Sequence, residues 1–162
     1  MREICWTAAD LKELSEKVPD GESVAILHLL RYRDSVGTGR NDMTGRQSFE
    51  RYFQGSLPIL MKVGARPLWR GQVRFVLFGG EVERWDEAVL VTFPTLGAFQ
   101  RMLADERHEA EMPFRTAALE DSRVIAMVMP RAISRVAWWL TKISIRLRGT
   151  KLGAREIPGW SV

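Results

Sequence analysis

In 162 residues the chain has one cysteine, Cys5, two histidines, His28 and His108, and two tyrosines. A single cysteine excludes an internal disulfide framework and a paired-cysteine ligand set, and it suits a reducing compartment. The two histidines fall on separate elements, with no His-x-x-x-His spacing and no clustered carboxylates, so no metal is expected. No apolar stretch approaches the roughly 18 residues of a membrane span, and the amino terminus has no run of signal-peptide length, so a cytoplasmic location is expected. No serine sits in Gly-x-Ser-x-Gly. The Gly37-Thr38-Gly39 pair is not followed by Gly-Lys-Ser/Thr or by dinucleotide spacing, which leaves no support for a nucleophile elbow or a phosphate loop.

An excess of basic charge is also missing from most of the chain. Residues 1–130 carry 17 basic and 19 acidic residues, whereas residues 131–162 carry seven basic and one acidic. The high isoelectric point therefore belongs to the last fifth of the sequence. A mildly acidic body without a basic stripe is not expected to bind nucleic acid.

What is present is an ordered series of elements. Thr7, with Asp10 three residues on, caps a helix to Lys17 that turns Leu11 and Leu14 inward, and Pro19, Asp20 and Gly21 stop it. Residues 23–33 read as a buried strand on which Val24, Ile26, His28 and Leu30 share one face. After a glycine-bearing loop, Thr44 and Gln47 form a capping box. The helix that follows carries Phe49, Phe53, Leu57, Leu60 and Val63 at helical spacing, is kinked or divided by Pro58, and ends at Gly64. Residues 66–78 alternate as a long strand around Trp69, Val73, Phe75 and Leu77, and Glu87–Phe93 is a valine-rich strand. Two helical pieces separated at Pro113 lead into a last strand, Arg123–Met129.

The order strand, helix, strand, strand, helix, strand predicts an α+β fold: a ferredoxin-like split βαβ sandwich over residues 23–129, preceded by an arm of residues 1–22 and followed by an extension of residues 130–162. Two helices cover one face of such a sheet and leave the other bare. A second copy of the chain is the simplest cover, making a homodimeric α+β barrel with a chamber between the sheets.

Particular stretches carry a family resemblance: Val24-Ala-Ile-Leu-His-Leu-Leu-Arg-Tyr-Arg33, Phe49-Glu-Arg-Tyr52 with Pro58 and Gly64, Trp85-Asp86, Phe93-Pro-Thr95, and Arg115-Thr-Ala-Ala-Leu-Glu-Asp-Ser-Arg-Val124. Over roughly residues 7–129 the chain resembles the domain of unknown function numbered thirteen-thirty. That family is similar to the dimeric α+β barrel superfamily, which includes cofactor-free antibiotic-biosynthesis monooxygenases, haem-degrading enzymes and small isomerases. The resemblance implies architecture before activity. His28 stands where the family usually carries asparagine, and Phe114 where it often carries histidine.

As a site, His28 can act as a base toward a phenolic or enolic substrate, since imidazole titrates near neutrality. Arg115 can hold the resulting oxyanion as a fixed cation. Tyr52 and Trp69, with Ile26 and Leu30, would wall a small apolar or aromatic ligand. No cofactor is required by this scheme. Each residue also has a plainer reading: His28 as a hydrogen-bonded core residue, Arg115 paired on a helix surface with Glu111, Tyr52 and Trp69 as packing. His108, inside Asp105-Glu-Arg-His-Glu-Ala-Glu, reads as part of a solvated face.

On a helical wheel Ile133, Val136, Ala137, Leu140, Ile143 and Leu147 make an apolar stripe opposite Arg135, Lys142 and Arg146, with Trp138 and Trp139 at its margins. Residues 131–148 can dock on the barrel or on a partner subunit, or lie on a membrane surface as a peripheral contact. Residues 142–148 also alternate with strand period. Two functions follow: a small-molecule enzyme of the monooxygenase or isomerase kind, or a noncatalytic binding or scaffold protein attached through its basic end.

Overall fold

The computed structural model describes residues 6–19, 21–37, 43–80 and 83–129. The elements are α1 (Ala8–Lys17), β1 (Val24–Tyr32), α2 (Gly45–Lys62), β2 (Arg66–Gln72), β3 (Glu87–Phe93), α3 (Leu96–Leu103), α4 (Glu106–Ala118) and β4 (Leu119–Val128). The four strands form one antiparallel sheet in the order β2-β3-β1-β4. This is the split βαβ arrangement, with the first strand in the middle of the sheet. The carboxy-terminal stripe, including residues 131–148, lies outside the described residues.

Local chemistry explains the helix starts. Thr7 and Asp10 form a reciprocal capping box at α1, and Thr44 and Gln47 do the same at α2. Thr95 and Asp105 each accept a backbone N–H at the starts of α3 and α4. Gly64, at φ +77°, turns the chain out of α2. Gly45 is a close approach: a Cβ there would collide with the backbone of Arg33 and Ala118, so the first turn of α2 sits directly on the ends of β1 and α4.

Three boundaries differ from the sequence expectation. Pro113 lies inside the continuous helix α4 and does not divide it; of the kink or division expected at Pro58, the continuity of α2 excludes the division. Both prolines are exposed, as are Gln54 and Glu109 four residues before them, so the carbonyls that lose an N–H partner face water. The break falls instead between Leu103 and Glu106, where Asp105 caps α4. The strand expected over residues 66–78 ends at Gln72. The backbone N–H of Val73 still bonds the Asp86 carbonyl, but β3 begins only at Glu87 and offers nothing further to pair with. Phe75, Leu77 and Phe78 consequently stand exposed in the connection. β4 starts at Leu119, four residues earlier than expected, because β1 pairs with it as far as Tyr32.

The core lies between the sheet and the helices. Val24, Ile26 and Leu30 from β1 and Val89, Val91 and Phe93 from β3 meet Phe49, Ile59 and Leu60 of α2 and Leu96, Phe99 and Met102 of α3. The opposite face is different. Trp69, Leu90, Leu27 and Ile125 stand in register across all four strands, and no helix among the described residues covers them. Trp69 is 48% exposed, and Ile125 and Met127 are exposed with it. No helix among the described residues is long and apolar enough to cross a membrane.

Candidate functional site

Alternation along β1 sends His28 to the helix-covered face, together with Val24, Ile26 and Leu30. There it borders a cavity roofed by Phe49, Tyr52, Phe53, Ser56 and Leu60 on α2, with Phe99, Met102 and Leu103 of α3 at one side. Val89, Val91 and Phe93 of β3 and Val124 of β4 make the floor, and Arg115 and Trp6 complete the lining. The cavity volume is about 40 Å³, room for a few waters and less than the roughly 150 Å³ that takes up a benzene ring. The roof follows from sequence spacing: residues 49, 52, 53, 56 and 60 recur at three and four and so share one helix face.

The polar groups gather around Arg115. Arg115 is 1% exposed, and its Nη2 donates to Ser122 Oγ at 3.4 Å. It is thus buried in the protein rather than lying on a helix surface. His108 is also 1% exposed, and its Nε2 lies 3.3 Å from the Tyr52 hydroxyl. The Trp6 ring stacks on the His108 imidazole at 6.1 Å between centroids, and Tyr52 meets the same imidazole edge-on at 6.0 Å. The solvated face expected for His108 is therefore corrected. Its charged neighbours Glu106, Arg107 and Glu109 face out, while His108 and Arg115, seven residues and two turns apart, share the inward face of α4.

Electrostatics make both imidazoles neutral at pH 7. Burial, and then the Arg115 charge, bring the His28 pKa down to about 3. Burial and Arg115 also lower His108, and Asp105 opposes them. The neutral rings can donate through one nitrogen and accept through the other, but burial and the Arg115 charge keep both from being strong bases.

Of the residues singled out by sequence, His28, Arg115 and Tyr52 line one cavity. Ile26 and Leu30 share the His28 face and are fully buried in the core beside it, not in its lining. Trp69 is on the other side of the sheet, because the register shift between Pro67 and Trp69 pairs it with Leu90 of the open face. The cavity itself lies within one chain, between sheet and helices, rather than between two facing sheets. Sequence reasoning missed Trp6, His108 and Ser56. The available signals were the aromatic residue directly before the Thr7 cap, the two-turn spacing of His108 and Arg115, and a serine on an otherwise apolar helix face. Among the described residues, no three His, Cys, Asp or Glu side chains converge as a metal would require.

No family model matches the chain, and no curated protein matches it. Among solved structures, it is similar to a protein of unknown function from Rhodopseudomonas palustris. That match has 25% identity and a TM-score of 0.72, over 82% of this chain and 100% of that one. The methylated form of the same protein matches equally, with 25% identity and a TM-score of 0.72 over 80% of this chain and 96% of that one. The hydroxynitrile lyase of Passiflora edulis is similar at 10% identity and a TM-score of 0.50, over 69% of this chain and 97% of that one. At that identity the likeness concerns the fold alone.

Proposed function

We propose that the cavity, widened by displacement of its apolar side chains, binds a small, flat, largely apolar organic molecule bearing an acidic oxygen, and that the chain acts on it as a cofactor-independent monooxygenase or isomerase. The carrying observation is the meeting of Arg115, His28 and Tyr52 in one cavity whose remaining lining is almost wholly apolar. Arg115 anchors the developing oxyanion, and His28 accepts the proton that leaves it. The depressed pKa of His28 has a defined meaning here. Burial is the larger cause and persists with a ligand bound; an anion beside Arg115 offsets the smaller, Arg115 part, so the base strengthens to that extent as the ligand ionises. Tyr52 and Trp6 supply flat aromatic walls.

The resemblance to the domain family thirteen-thirty belongs to the same reading, as does a homodimer joined through the open sheet face. An uninterrupted apolar row from Trp69 to Ile125 supports that dimer. The test is a binding screen of phenols, enols and aromatic carboxylates by thermal shift and NMR, followed by turnover assays of the binders. Binding of ring anions, with turnover lost in a folded His28→Ala protein, is the expected result; undiminished turnover removes His28 from the mechanism.

The noncatalytic reading rests on the seven basic and one acidic residues of positions 131–162. It expects the full-length chain to co-sediment with anionic liposomes, with binding lost at high salt and lost on changing Arg135, Lys142 and Arg146 to Gln.

A further inference from the structure

Ser56 is a polar residue of the cavity lining that sits on an otherwise apolar face of α2. It is 3% exposed, and its hydroxyl has no hydrogen-bond partner. A helical serine ordinarily turns its hydroxyl back to the carbonyl four residues earlier, here that of Tyr52, and Ser56 does not. Its surroundings on the same helix face are Phe49, Phe53 and Leu60, where a hydrophobic residue would pack without leaving an unmet donor. The cost of burying that hydroxyl is recovered when a bound molecule accepts its proton.

We infer that Ser56 is a specificity-determining contact of the cavity, donating a hydrogen bond to a second oxygen on the ligand. The inference rests on the small-molecule reading of the site and narrows its substrate class. Ser56 follows Tyr52 by one helical turn, about 6 Å along α2. With Arg115 and His28 taking the acidic oxygen and Ser56 on the α2 roof of the same cavity, the ligand carries two oxygen functions, an acidic one and a neutral acceptor for Ser56. Hydroxylated or keto-substituted aromatic and enolic acids have that pattern, whereas singly substituted ring acids lack the second oxygen. Selection by Ser56 follows from an asymmetry: a ligand without the acceptor leaves the buried hydroxyl unmet in the complex as well.

The experiment uses three probes on the full-length chain, benzoate, 3-hydroxybenzoate and 4-hydroxybenzoate, titrated by NMR against the wild-type protein and Ser56→Ala. Expected is a preference of about tenfold for a hydroxybenzoate over benzoate in the wild type, and equal binding of the two in Ser56→Ala, with benzoate unchanged or tighter. Unfolding by urea is read in parallel. Since the hydroxyl is unmet in the free protein, Ser56→Ala should keep or raise the midpoint. Equal binding of benzoate and hydroxybenzoates by the wild type overturns the role of Ser56 and leaves the anion-binding reading standing; that is also the result if water alone satisfies the hydroxyl. A marked fall in the urea midpoint of Ser56→Ala overturns it too, because the hydroxyl then has a structural partner. Failure of all three probes to bind overturns the anionic-ring reading together with the Ser56 contact.

Discussion

The Tyr52 hydroxyl lies 3.3 Å from Nε2 of His108, and the Trp6 ring stacks on the same imidazole. One contact joins α2 to α4, and the other brings the segment before α1 to the same imidazole. Because His108 is buried, removing either partner leaves a polar atom without its bond. Tyr52→Phe and His108→Leu should each destabilise the protein by about 1–2 kcal/mol. The double variant should lose less than the sum, with a coupling of about 1 kcal/mol in a urea-denaturation cycle. Strict additivity would show that the two side chains act independently.

Acid should destabilise the fold through its histidines. The folded-state pKa of His28, about 3, lies below the 6.5 of a free imidazole, so between those values the unfolded chain binds a proton that the folded chain refuses. Stability is therefore full above pH 7 and falls as the pH drops through 6.5 toward 3. For His28 the loss between pH 7 and pH 5 is at most about 2 kcal/mol. His108, shifted in the same direction, adds to it. Urea midpoints at the two pH values give the measurement. His28→Asn, which keeps a polar side chain that does not titrate, should show a smaller drop than the wild type.

Where the backbone follows short-range chemistry, the sequence was readable. The Thr7 and Thr44 capping boxes, the Gly64 exit and the limits of β3 lie where side-chain spacing puts them. The placing of His28 beside Val24, Ile26 and Leu30 was equally legible, because strand alternation is strict. Long-range facts were not. Whether Phe75 and Leu77 extend a strand depends on where β3 begins, and whether a proline breaks a helix depends on which way it faces. His108 was hidden by its neighbours: five of the six residues around it are charged, and their solvation says nothing about the opposite side of the helix. Trp69 was misplaced by a single-residue register shift, which moves a side chain from one face to the other.

Glu87 should be the most sensitive polar position outside the cavity. At 2% exposed, its carboxylate meets Arg70, receives Arg46 Nη1 at 2.9 Å and accepts the Tyr32 hydroxyl at 2.8 Å. Arg70 also pairs with Glu50 at 2.6 Å and lies over the Phe53 ring, which ties the network to α2. Burial and Glu87 together raise the Tyr32 pKa, so that hydroxyl stays a donor at any ordinary pH. Glu87→Gln keeps the shape but removes the charge that Arg70 and Arg46 share, leaving Arg70 to Glu50 and Arg46 to water, and a loss of about 2 kcal/mol is expected. Tyr32→Phe should lose about 1–2 kcal/mol, as for a hydrogen bond to a charged group. Equilibrium unfolding of the two variants at pH 7 checks the order.

The open sheet face yields the last prediction. Trp69, Leu90, Leu27 and Ile125 run in register from one edge strand to the other, and two of the four are exposed large hydrophobics. If two copies bury this row against each other, a charge in its middle is desolvated without a partner and the dimer separates. Leu27→Asp would also disturb the central strand, whereas Ile125 is on the edge strand β4 and 44% exposed, so Ile125→Asp should leave the fold intact. The wild type should sediment as a dimer at micromolar concentration, and Ile125→Asp as a monomer with unchanged circular dichroism. Trp69→Asp, at the opposite edge of the row, should do the same. A Trp69→Asp protein that remains dimeric beside a monomeric Ile125→Asp would confine the contact to the β1–β4 half of the sheet.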